Sequence, residues 1–246
     1  MPSLSAYDRS LDYSYAPGIF PSMEAVRKAP GLVRRLLVSS QAQDSAGAKE
    51  LIALCGESRI RVETADRALA RISGKENCYA AAVFGKFEDR LDPESPHVLL
   101  HQPGDSGNAG TILRTALGFG IEDVALVRPC VDPFDPRTVR ASMGSLFRLR
   151  IHLYDSFEAY RTEMGDRDYY PFMLDASVPL GEALEKPVRA RRTLIFGNEG
   201  RGLPPEFARV GQPVRIPSNG KVDSLNLAIA AGIGIYAFLD KESRQG

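Results

Sequence analysis

The chain has 246 residues, 43% of them hydrophobic and 25% charged, which is enough to bury one large core or two modest ones and too apolar for global disorder. Its 31 basic and 31 acidic residues cancel, which excludes a protein that coats nucleic acid through bulk positive charge, so any such contact has to be local. The 3 cysteines, Cys55, Cys78 and Cys130, are odd in number and widely spaced, giving neither a disulfide framework nor a zinc site.

The start, MPSLSAYDRS, has no basic segment leading into an apolar run, and no stretch approaches the roughly 18 apolar residues of a membrane span. A cytosolic, soluble protein without membrane or metal partners is expected. Residues 1–21 are rich in Ser, Tyr and Pro without apolar periodicity and read as an extended or flexible arm. Tyr7, Tyr13 and Tyr15 read as packing on the protein's own surface rather than as a stacking platform for RNA bases.

Residues 22–88 alternate short helices and strands: a helix near Ser22 to Lys28, a strand Leu36 to Ser39, and an amphipathic helix Ala46 to Cys55. A strand Ile60 to Val62, a helix Thr64 to Arg71 and a strand Tyr79 to Phe84 follow, which together predict a small α/β layer. Residues 89–96, with clustered charges and two prolines, read as a linker.

Residues 97–246 carry stronger strand candidates at Val98 to His101, Val124 to Val127, Leu149 to Leu153, Phe172 to Leu174, Thr193 to Phe196 and Val214 to Ile216. Their continuous apolar character suits a parallel sheet covered on both faces, whose ligands collect beyond the carboxyl ends of the strands. Three polar, glycine-bearing segments fall there. In PGDSGNAGTILRTALGFG a helix from about Ala109, capped by Asn108, holds Arg114 one to two turns from its start. In LIFGNEGRGLPPEF a single acid, Glu199, stands among Gly197, Gly200 and Gly202, a pattern that is neither GxGxxG nor a P-loop and suits hydrogen bonding to a ligand or a neighbouring loop. In VRIPSNGKVDSLNLAIAAGIGIYAFL a strand ends near Ile216 and Ser224 caps a helix that is almost wholly apolar from Leu225, which predicts burial or subunit contact. Asn226, one turn into that helix, would need a polar partner.

In order and spacing, NAGTILRTALGFG, VRASMGS, LIFGNEGRGL and IPSNGKVDSLNLAIAAG resemble the successive motifs of the SpoU (TrmH) family of RNA 2'-O-ribose methyltransferases, within the SPOUT superfamily. The resemblance implies an α/β parallel-sheet domain tied in a deep trefoil knot, here preceded by a small α/β/α substrate-binding domain. It implies S-adenosylmethionine as cofactor, held by Gly197, Ile216 and Leu225, and a ribose hydroxyl of tRNA or rRNA as acceptor. Arg114, Asn108, Glu199, Ser224 and Asn226 match the family's catalytic and polar positions. Homodimerisation through the knotted domain is implied too, with the arginine serving the partner's cofactor site.

Arginine side chains stay protonated in proteins, so Arg114 is expected to orient the ribose and stabilise alkoxide charge rather than act as a base. Arg27, Lys28, Arg34 and Arg35, and a second set of Arg137, Arg140, Arg148 and Arg150, are expected to meet RNA phosphates. Two other readings stay open: a base-methylating enzyme of the same superfamily, and an RNA-binding protein of this fold that binds cofactor without catalysis. His97 and His101, four apart in a strand without a Glu, read as core or rim residues rather than metal ligands. The sequence does not single out the RNA or the nucleotide, nor a housekeeping from an antibiotic-resistance role.

Overall fold

The computed structural model describes residues 5–42, 44–73 and 78–244, in two compact units. The first comprises residues 1–87 and 132–148, and the second residues 88–131 and 149–246. No helix among the described residues is long and apolar enough to cross a membrane.

The first unit contains β1 (Tyr13–Pro17), α1 (Ile19–Lys28), β2 (Val33–Val38), α2 (Ala46–Glu57), β3 (Val62–Thr64), α3 (Asp66–Ser73) and β4 (Ala80–Gly85). Its sheet runs β1-β4-β2-β3, antiparallel except for the β2/β3 pair. From Tyr13 onward the expected arm is therefore structured, while its residues 1–4 lie outside the described residues. Tyr13–Pro17 pair with β4, Tyr15 is fully buried, and Tyr13 meets it edge-on at 5.7 Å. Alternation was hidden because Ser14 points inward and is satisfied by the Phe134 carbonyl.

The second unit contributes β5 (His97–His101), α4 (Ser106–Gly118) and β6 (Asp123–Val127). The chain then makes α5 (Pro136–Ala141), which belongs to the first unit, before β7 (Arg150–Tyr154), α6 (Phe157–Met164), β8 (Asp168–Pro171), β9 (Val178–Pro179) and α7 (Leu180–Ala183). β10 (Arg192–Phe196), β11 (Val214–Arg215) and α8 (Leu227–Ser243) complete it. Five strands form an all-parallel sheet in the order β7-β6-β5-β10-β8, and β9 pairs with β11 separately. The order reverses between β5 and β10, so that crevice is where a doubly wound sheet collects its ligand.

Two details differ from the sequence reading. The strand expected at Phe172 to Leu174 lies four residues earlier, because Asp168–Pro171 pair with β10 while Phe172 bridges to Val214. The segment read as a linker is held to the second unit: Leu91 is buried, Asp92 N–H donates to Asp123 at 2.9 Å, and the Asp89 carbonyl bonds His152 at 2.8 Å.

α8 is not buried all round. Ala228, Ala231, Gly234, Ile235 and Phe238 face inward, and a Cβ at Gly234 would lie 2.6 Å from the Phe172 ring, so glycine lets the helix close on the aromatic layer. Ile229, Ile233, Tyr236 and Leu239, spaced at helical intervals, are exposed instead. Phe119 of α4 borders them, 5.9 Å from Tyr236.

Candidate functional site

β5 and β10 are neighbours, so the turns leaving them, 102–105 and 197–203, lie side by side at the strand ends. The second turn is a closed hairpin. Asn198 N–H donates to the Gly202 carbonyl at 3.1 Å and Gly202 N–H returns to Asn198 at 2.9 Å. Asn198 Oδ1 accepts from the N–H groups of Gly200 and Arg201 at 3.0 and 3.2 Å, and its Nδ2 donates to the Gln102 carbonyl at 2.9 Å. A Cβ on Gly197 would sit 2.2 Å from the Gly202 carbonyl carbon, so only glycine allows the chain to cross itself there.

The hairpin aims Glu199 at the start of α4. Its carboxylate accepts from Gly104 N–H at 2.9 Å, Asp105 N–H at 3.1 Å and Asn108 Nδ2 at 3.3 Å. Asn226 Nδ2 donates to Asn108 Oδ1 at 2.9 Å, while Asn226 Oδ1 accepts from Ala228 and Ile229 N–H at 2.9 and 3.2 Å. Both amides are oriented by this chain, because one end is fixed by helix N–H donors and the other by a carboxylate that only accepts. Three segments far apart in sequence are thereby fastened together.

The caps differ from those expected. Asp105 caps α4, accepting from Asn108 N–H at 2.7 Å, and Asn226 caps α8. Asp105 is favoured because a carboxylate also complements the positive end of the helix. Asn226 therefore stands at the helix mouth rather than inside an apolar helix. Ser224 lies two residues earlier, exposed on the cleft. Sequence reasoning missed Asp105 and Asn198. Both carry a readable signal, an Asp three residues before a helical Asn and an Asn opening a glycine turn.

A cleft of about 230 Å³ opens beside the hairpin. Phe172, Phe196, Ile216 and Leu227 supply apolar wall, and Gly197, Glu199, Ser224 and Leu225 also line it. Among the described residues the backbones of Ile216, Ser218 and Leu225 have no hydrogen-bond partner, so they can serve a ligand. Apolar walls with unpaired backbone groups fit a nucleoside carrying an amino acid. Glu199 is already committed to the α4 turn and holds the cleft's shape.

Arg114 does not line this cleft. It is exposed, and among the described residues its side chain has neither a hydrogen bond nor an ion pair. Six residues beyond Asn108, it stands roughly 9 Å further along α4. The structure thus joins Asn108, Glu199 and Asn226, places Gly197, Ile216, Ser224 and Leu225 around one cleft, and leaves Arg114 outside it.

His97 and His101 have other uses. His97 is fully buried, its Nε2–H donating to the Asp92 carbonyl at 2.7 Å and its Nδ1 accepting from Tyr160 at 2.8 Å. Burial, aided by the Arg167 charge, pulls its pKa down to about 4. His101 packs 5.0 Å from the Phe207 ring.

The pattern of the SpoU rRNA Methylase family matches residues 95–236. An uncharacterized tRNA/rRNA methyltransferase of Synechocystis is 36% identical over 56% of this chain and 51% of its own, so the chain spans about half the length of that relative. A 23S rRNA (adenosine(1067)-2'-O)-methyltransferase of Streptomyces laurentii is 32% identical over 76% of this chain and 72% of its own. The AdoMet-bound crystal structure of an rRNA methyltransferase from Sinorhizobium meliloti superposes with a TM-score of 0.74 at 28% identity, covering 92% of this chain and 87% of that one.

Proposed function

Since the chain belongs to the SpoU rRNA methylase family, we propose that it methylates a ribose 2'-hydroxyl of ribosomal or transfer RNA in the cytosol, using S-adenosylmethionine. The observation that carries this reading is the Glu199–Asn108–Asn226 chain, which fastens both walls of a nucleoside-fitting cleft at the reversal of the parallel sheet. The segment between β10 and α8 pairs with β9 while α8 returns against β10 and α4, a crossing that supports a trefoil knot.

When bound, S-adenosylmethionine would supply an electrophilic methyl carbon to the 2'-oxygen, the carbon–sulfur bond breaking in line as the carbon–oxygen bond forms and the neutral thioether leaving. Ile216, Ser218 and Leu225 would hold the nucleoside through backbone groups, and Gly197 with its hairpin would set the wall behind it. Positioning of this kind can supply up to roughly 7 to 11 kcal/mol of the barrier. Arg114 orients the ribose and stabilises negative charge on its oxygen, and the proton passes to a phosphate oxygen of the RNA because the guanidinium stays charged.

A cation outside its own cleft suits a dimer in which it reaches the partner's. The exposed stripe Ile229, Ile233, Tyr236 and Leu239 beside α4 supports that assembly. The test is transfer of labelled methyl groups from S-adenosylmethionine into total RNA of a strain lacking this protein, followed by mapping of the 2'-O-methyl position. Label at a ribose is expected. Cofactor binding with no labelled RNA would establish the non-catalytic RNA-binding reading instead, and label on a base would establish the base-methylating one.

A further inference from the structure

Of the four arginines around VRASMGS, three are engaged by acids: Arg137 with Asp135 at 2.8 Å, Arg148 with Glu24 at 3.9 Å, and Arg150 with Asp123 at 2.5 Å. Arg140 has no ion pair among the described residues and lies against the Cys78 thiol. The next residue is Tyr79, which leads into β4. Gly18 N–H donates to the Ala80 carbonyl at 2.7 Å, bringing the β1–α1 turn to the same end of the sheet, and Phe20 stands two residues beyond it. Phe20 is 65% exposed and Tyr79 44%, two of the three large apolar side chains exposed among the described residues of this unit.

The other described rings of this unit are buried or half-buried, so its two exposed aromatics have a use other than the core. Every base offers a π-face, so aromatic rings take single-stranded RNA without regard to sequence, and an arginine free of any carboxylate partner can take the phosphate between bases. We infer that Phe20, Tyr79 and Arg140 form a base-stacking and phosphate-binding platform for an unpaired stretch of the RNA substrate. The inference rests on the proposed function and adds where that substrate is held outside the cofactor cleft.

The chain contains no tryptophan, so Tyr79→Trp installs a lone reporter whose fluorescence a stacked base quenches. Saturable quenching by deproteinised ribosomal RNA or transfer RNA is expected, whichever the wild-type protein binds. With the same RNA, Phe20→Ala and Tyr79→Ala should each weaken binding roughly tenfold. Tyr79→Phe should bind as wild type. Arg140→Gln should lower the slope of log affinity against log salt by roughly 0.7. Affinity for S-adenosylmethionine should stay unchanged in all of them, and unaltered thermal melts report intact folding of the substituted unit.

Wild-type RNA affinity in both alanine variants, or RNA bound without quenching, would overturn the inference while leaving the proposed function standing. A change of oligomeric state in place of RNA affinity would assign the patch to a second copy of the chain and overturn it equally. Should the wild-type protein neither bind nor methylate ribosomal or transfer RNA, the functional reading itself falls.

Discussion

Asn226 donates to Asn108 at 2.9 Å, a bond that spans 118 positions of sequence and joins the starts of α8 and α4. One side chain thus performs two tasks, capping its own helix through Oδ1 and holding another through Nδ2. The tasks separate by substitution. Asn226→Ala loses both and should cost about 1 to 2 kcal/mol in urea unfolding. Asn226→Asp keeps the capping oxygen, so stability should stay within about 0.5 kcal/mol while methyl transfer falls by about tenfold or more. Equal destabilisation by the two variants would contradict this division.

Gly197 and Gly200 lie in one hairpin and should respond in opposite ways. A Cβ at Gly197 meets backbone at 2.2 Å, whereas at Gly200 the nearest atom is Asn198 Oδ1 at 3.7 Å. Gly197→Ala should lose about 2 kcal/mol or more and its affinity for S-adenosylmethionine. Gly200→Ala should unfold within about 0.5 kcal/mol of wild type. Thermal melts and cofactor titration of both proteins decide it.

Burial lowers the His97 pKa from 6.5 to about 4, so the unfolded state binds the proton more tightly than the native one. Its contribution is complete above the unfolded pKa, declines as pH falls through that window, and is gone below the folded pKa. The slope should approach about 1.4 kcal/mol per pH unit inside the window. Urea titrations at a series of pH values, repeated on His97→Gln, should show this dependence in wild type and a flatter line in the variant.

Arg114 and the α8 stripe make a joint prediction. Ile233→Glu should shift the protein to monomer in sedimentation and abolish methyl transfer while the monomer still binds cofactor. Arg114→Lys keeps the charge but loses the planar fork, so turnover should fall by about a hundredfold with unchanged cofactor affinity. If the arginine serves the partner's cleft, mixing inactive Arg114→Ala and Leu225→Arg proteins should restore about a quarter of wild-type activity, since half the dimers are mixed and each has one intact site. No recovery on mixing would place arginine and cleft in the same protomer.

The parallel sheet was legible because its strands are buried on both faces and read as unbroken apolar runs; β5, β6 and β10 lie within a residue of their expected bounds. Motif order singled out Asn108, Glu199 and Asn226, which the fold links by hydrogen bonds. Their arrangement was not legible. Which of several polar residues caps a helix depends on a turn's backbone angles, so Asp105 and Asn226 displaced Asn108 and Ser224. β1 escaped notice because its inward Ser14 breaks the apolar alternation, and its partner, Phe134, is 120 positions away. The basic set around VRASMGS looked free of acids in sequence, but Glu24 and Asp123 reach it from elsewhere in the fold.

Segment 132–148 is joined covalently to the β-strands of the second unit yet packs in the first, where Phe147 meets Phe84 edge-on at 4.8 Å. During synthesis the ribosome therefore releases β5, α4 and β6 before the first unit receives its last layer. Phe84 stays without its Phe147 cover throughout that interval. The amino-terminal unit is unfinished when its first 87 residues emerge, and the usual order, in which an early domain closes before a later one begins, does not hold for this chain.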